Sequence, residues 1–181
     1  MNTIKLTAVA VFSVFTLITF TSCTTSIEPV DQDLLGNLVN PTSIVGAYTM
    51  TAFNTGIPTD LNNDGTASIN QMTETTCFNN SILTLNADYT FNATQNGLDI
   101  SATATTSIME CYSDPLLSGT WALNGTILTL TYDDAGTPVV ETFLVASNTL
   151  TYSVPLGEIV GTTSTNEPVF LTSSINIVYT R

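Results

Sequence analysis

Histidine is absent from this 181-residue chain, and only Lys5 and Arg181 carry positive charge against 15 acidic residues. Without histidine, neither Ser-His-Asp nor Cys-His nucleophilic machinery can be assembled, and zinc sites built on imidazole are excluded too. Two cations cannot form the basic stripe that phosphate neutralisation demands, which excludes nucleic acid as a partner. A polybasic contact with an anionic membrane surface fails for the same reason. Charged residues make up only 9% of the chain and hydrophobic residues 43%, a balance that opposes disorder and can supply a core.

The one long apolar run stands at the start. Leu6 to Phe20 follows the single cation Lys5; it is the length of a signal-peptide core and falls short of the roughly 20 residues that span a bilayer. Thr21 and Ser22 supply small residues immediately before Cys23. The tetrad Phe20–Cys23 resembles the lipobox of bacterial lipoproteins, with Phe20 standing where leucine is usual. The resemblance implies cleavage after residue 22 and lipidation of Cys23. An ordinary secretory signal is the alternative, and it leaves Cys23 as a stray thiol. The expected organisation is a signal peptide over residues 1–22, a flexible tether over 23–42 and one domain over 43–181. The expected location is the bacterial cell envelope, lipid-anchored to a membrane on its periplasmic or cell-surface face. Loss of residues 1–22 removes Lys5 and leaves all 15 acids, an acidity that repels anionic partners without naming any partner.

From Ile44 onward the helical period is missing and the sequence alternates. Threonine occurs 35 times, and its branched side chain suits a half-buried pleated surface while disfavouring helix. The pattern predicts strands at 44–53, 81–86, 89–95, 100–111, 120–123, 126–132, 138–146, 149–154 and 169–180. Asn124-Gly125 is the strongest hairpin signal, and Ala87-Asp88, Asp133–Gly136 and Ser147-Asn148 join further pairs. Only 54–80 and 155–168 are left as long loops. The expected fold is all-β, an antiparallel meander closing into a barrel of eight to nine strands. An immunoglobulin-like sandwich competes, but it needs long crossover connections.

Several runs are familiar in their order. Val45-Gly46-Ala47-Tyr48-Thr49-Met50 opens the domain, followed by Asp60–Thr66, Thr76-Cys77-Phe78, Leu83–Phe91, Cys111 and Gly119–Gly125 leading into Leu128-Thr129-Leu130. Over about residues 43–155 this order resembles the lipocalin-like domain family of small bacterial lipoproteins. A Gly-x-Trp signature would fall at Gly46-Ala47-Tyr48, with tyrosine in place of tryptophan, while Gly119-Thr120-Trp121 repeats it with tryptophan present. The resemblance implies a small barrel with an apolar interior.

Four constellations carry the candidate chemistry. Cys77 and Cys111 remain as a pair once Cys23 is lipidated, and an oxidising compartment favours a disulfide; two separately buried thiols are the alternative. Asp60, Asn62 and Asp64 occupy positions 1, 3 and 5 of a calcium-type loop, Gly65 permits the turn, and the Thr66 carbonyl falls at position 7. Position 12 is Gln71 where a bidentate glutamate is needed, so Glu74 is a substitute and a self-satisfied Asx turn the alternative. The adjacent acids Asp133-Asp134 sit in a turn and offer no acid–base pair across a substrate. The aromatics Phe91, Trp121, Tyr132, Phe143 and Tyr152 line a cavity or form plain core. Together these features favour a non-catalytic binding module for a small neutral or apolar ligand of sterol-like, isoprenoid or aromatic type. A structural or interaction protein of the envelope, with a packed barrel and loop-mediated protein or glycan contacts, is the other outcome. Calcium is the one cofactor considered.

Overall fold

The structure, a computed structural model, describes residues 40–102 and 107–181. The expected signal peptide, Cys23 and nearly all of the expected tether lie outside the described residues. The domain begins with a single 3-10 turn at Pro41–Ile44, whose amide at Thr42 is capped by the Asn40 side chain. Proline suits this first-turn position because its missing N–H has no partner to lose.

Among the described residues eleven strands follow: β1 (Gly46–Thr59), β2 (Ser68–Asn70), β3 (Ile82–Leu85), β4 (Thr90–Thr94), β5 (Asn96–Ala102), β6 (Ser107–Ser113), β7 (Leu117–Asn124), β8 (Ile127–Asp134), β9 (Thr137–Ala146), β10 (Thr149–Thr162) and β11 (Pro168–Thr180). Around the barrel the order is β1-β3-β4-β7-β8-β9-β10-β11, and β11 pairs back onto β1. Eight antiparallel strands therefore close on themselves, leaving β2 as an extra strand on β1 and β5–β6 as a separate hairpin. Closure removes the unpaired edges that an open sheet would present. It also settles the choice of fold in favour of the barrel.

Four expectations are corrected. The run 100–111 is not one strand, because the chain turns back within it to make β5 and β6. The supposed loop 155–168 is mostly strand: β10 and β11 stay paired from Thr149↔Thr180 to Thr162↔Pro168, with a bulge between Val154 and Gly157 that absorbs Pro155 and Leu156. The loop 54–80 loses its beginning to β1 and its middle to β2. The turn at Asn124-Gly125 forms one residue later than expected, since Asn124 pairs with Ile127 and Gly125 holds the left-handed first position with φ 59°.

One end of the barrel is solid. Ile44, Tyr48, Leu85, Leu128 and Leu150 are at most 2% exposed there. The Tyr48 hydroxyl donates to the Ile44 carbonyl at 2.9 Å, so the tyrosine that replaces the signature tryptophan fills this end and satisfies its polar atom. Arg181 stands over the Tyr48 ring at 5.5 Å and donates to the carbonyl of Val45 at 2.8 Å.

The other end is shaped by a bulge. Pairing between β1 and β11 slips between Met50 and Ala52. Before the slip the inward row holds Tyr48 and Met50; after it the row holds Phe53 and Thr55. One extra residue has moved the inward positions from even to odd numbers, and this brings Phe53 into the interior.

Candidate functional site

The β5–β6 hairpin is inserted between β4 and β7, yet β5 lies against β10 and β11 and β6 against β11, on the far side of the barrel. It therefore crosses the end opposite Tyr48. The disulfide Cys77–Cys111 ties β6 to the segment before β3. At the hairpin base, the Ser81 hydroxyl donates to the Phe78 carbonyl at 3.0 Å and accepts the Asn96 amide at 3.0 Å. The Asn96 side chain donates to the Asn79 carbonyl at 2.7 Å. Gly97 leaves room for the Tyr112 ring, into which any Cβ at that position would run.

Beneath the hairpin lies a cavity of about 130 Å³. Met50 and Phe53 reach it from β1, Glu141 and Phe143 from β9, Tyr152 from β10, and Ile177 and Tyr179 from β11. Phe78, Gln95, Asn96 and Tyr112 complete it from the hairpin side. The walls are largely aromatic: Phe53 stacks on Phe78 at 4.4 Å, and Phe143 lies 5.2 Å from Tyr152 and 6.3 Å from Tyr179. A wider cleft of about 410 Å³ outside the hairpin base shares Gln95 with this cavity and is bordered by Tyr132.

Glu141 is the polar centre of the site. It sits in the inward row Val139, Glu141, Phe143, Val145 of β9. The Tyr132 hydroxyl donates to its carboxylate at 3.2 Å. Burial pushes the Glu141 carboxyl above its ordinary range, and the Tyr132 hydrogen bond only partly offsets this. The phenols of Tyr132, Tyr152 and Tyr179 are all raised by burial, with the Glu141 charge adding to each.

Of the aromatics singled out from sequence, Phe143 and Tyr152 line the cavity, and Tyr132 reaches it through Glu141. Phe91 and Trp121 do not. Phe91 is buried core beside Tyr132, and the Trp121 indole donates to the Asn86 carbonyl at 3.0 Å and borders a surface pocket with Pro41, Val45 and Tyr89. Alternation shows which face a side chain takes and says nothing about its depth along the barrel. Glu141 was missed, although an acid inside the alternating Val-x-Glu-x-Phe-x-Val row was a visible signal.

In the calcium-type loop the side-chain oxygens accept the loop's own backbone amides. Asp60 accepts the amides of Asp64 and Gly65 at 3.1 and 2.9 Å, Asn62 accepts that of Asp64 at 2.9 Å, and Asp64 accepts that of Thr66 at 2.8 Å. Gln71, at the twelfth position, is 2% exposed and bonded to Thr59 and Thr55, while Glu74 accepts the Leu61 amide at 3.2 Å. Among the described residues no group of three or more acidic, cysteine or histidine side chains gathers as a metal site.

Chemically, the described residues that line the cavity offer one carboxylate and several phenols, and Cys77 and Cys111 nearby are joined in the disulfide. Among the described residues lining it, Glu141 has no second carboxylate with which to share acid–base work. Residues 44–152 match the family model described as a lipocalin-like domain. No curated protein and no solved structure matches the chain.

Proposed function

The chain belongs to the lipocalin-like domain family, and from that premise we propose that it is a non-catalytic binding protein that holds a small ligand with an apolar body under the β5–β6 hairpin. The observation that carries this is the aromatic-walled cavity at the covered end of a barrel whose opposite end is packed solid. A small eight-stranded barrel either fills its interior with side chains or keeps room for one small ligand. The volume sets the scale. A dry cavity of about 150 Å³ is enough for benzene, so at about 130 Å³ whole sterols or isoprenoids are too large and a single ring or short chain fits. Fatty acids and other anions are disfavoured, since no cation lines the cavity among the described residues. The proposed setting is the bacterial cell envelope, with Cys23 lipidated as the anchor.

The test is a titration of the isotope-labelled domain with toluene and with benzyl alcohol, followed by amide chemical shifts. Saturable shifts centred on Phe53, Phe143 and Tyr152 are expected, and Ile177→Phe, which fills the cavity from its wall, should remove them. Absence of saturation, or shifts centred elsewhere, refutes the proposal.

A further inference from the structure

Glu141 is the one group around the cavity whose presence the barrel does not explain. Its neighbours in the inward row of β9 are Val139, Phe143 and Val145, and an ionised carboxylate among such residues is costly unless something positive pairs with it. Its one hydrogen bond among the described residues comes from a neutral phenol, Tyr132, at 3.2 Å. The chain has almost nothing positive to offer. Arg181 is engaged at the other end of the barrel, on the Val45 carbonyl and the Tyr48 ring, and Lys5 lies outside the described residues. An apolar residue at 141 would pack this row at no electrostatic cost.

The walls add a second, independent preference. Phe143, Tyr152 and Tyr179 converge on the space beside the carboxylate, and the negative faces of aromatic rings attract organic cations, more strongly when water is excluded. An inorganic cation is a poor match, because calcium takes six to eight oxygen ligands with carboxylates prominent among them, and Glu141 is the one carboxylate among the described residues that line the cavity. We infer that the cavity takes a small organic ammonium ion, a primary amine on an apolar body of about one ring, with its nitrogen against Glu141 and its body among Phe53, Phe143 and Tyr152. The inference rests on the cavity being the binding site, as proposed above, and it replaces the neutral ligand expected from the sequence with a cationic one. The ammonium donates to the carboxylate, and the ring faces take up the rest of its charge.

Three probes that share one body test this: benzylammonium, benzyl alcohol and benzoate. Titrations run at about 0.5 M salt, where the Debye length is only a few ångströms, suppress the general pull of the acidic surface on any cation. The wild-type domain should bind benzylammonium at least about tenfold more tightly than benzyl alcohol, and benzoate not measurably. In folded Glu141→Gln the preference should vanish, the amine binding no more tightly than the alcohol in the same variant. Equal wild-type affinity for amine and alcohol overturns the inference while leaving the binding site standing, and this comparison needs no variant to fold. A preference that survives in folded Glu141→Gln overturns it as well. Failure of all three probes to bind the wild type overturns the site and the inference together.

Discussion

Breaking the Cys77–Cys111 bridge should lower the melting temperature of the domain by roughly 8–15 °C. The bridge spans a sequence separation of 34 and encloses β3, β4 and β5. The chain-entropy relation for a loop of that length gives about 4 kcal/mol of stabilisation, through constraint of the unfolded chain. A domain of this size shifts by about 2–4 °C for each kcal/mol, which gives the stated range. The native side should change little, because Ser81, Asn96 and Asn79 hold the hairpin base independently of sulfur. Calorimetric melts of the oxidised protein, the reduced protein and the Cys77→Ala/Cys111→Ala variant provide the measurement. Reduced protein and variant should melt together, well below the oxidised form. A fall of less than about 2 °C in both would refute the reasoning, because it would mean that residues 77 and 111 are already held close in the unfolded chain.

Three further outcomes are expected. Glu141→Gln, free of ligand, should melt above the wild type at neutral pH: the folded carboxyl is raised, so its ionisation burdens the native state, fully above the raised value and not at all below the unfolded value near 4.3, where the two melting curves should converge. Tyr48→Phe should cost about 1 kcal/mol for the lost hydrogen bond to Ile44, and Tyr48→Ala about 3–5 kcal/mol for the cavity it leaves, both read by urea titration. Cys23→Ser should release the protein from the membrane fraction or leave it uncleaved, and unchanged fractionation and mass would count against the anchor.

What the sequence made legible was periodicity, and what it hid was register and depth. Leu83 with Leu85 and Leu128 with Leu130 alternate cleanly, and each of these four is 2% exposed or less in the barrel wall. The bulge at Thr51 left no mark, because Thr51 and Ala52 are ordinary strand residues and the slip arises only from pairing with Val178 and Tyr179. Pro155 and Gly157 looked like loop residues, and only the bulge opposite β11 lets β10 carry them. The hairpin was read as one strand because no glycine or proline punctuates residues 98–111. The cavity was legible in part: aromatic identity was plain for Phe143 and Tyr152, whereas the covering role of Tyr112 depends on a hairpin that was not foreseen.

The pairing of β11 with β1 bears on how the protein reaches its native state. The Thr51 side chain bonds the Val178 carbonyl across 127 residues of chain, so the contact that closes the circle joins β1 to β11, the first and last of the described strands. Loop closure over such distances slows folding, and β-rich domains dominated by non-local pairs fold in milliseconds to seconds rather than microseconds. During synthesis β1 can recruit β3 early, but its other edge waits for β11 and stays unpaired until that strand emerges. A truncation that removes only β11 would therefore convert a closed cylinder into a curved sheet with two sticky margins, and self-association is the expected fate of that species.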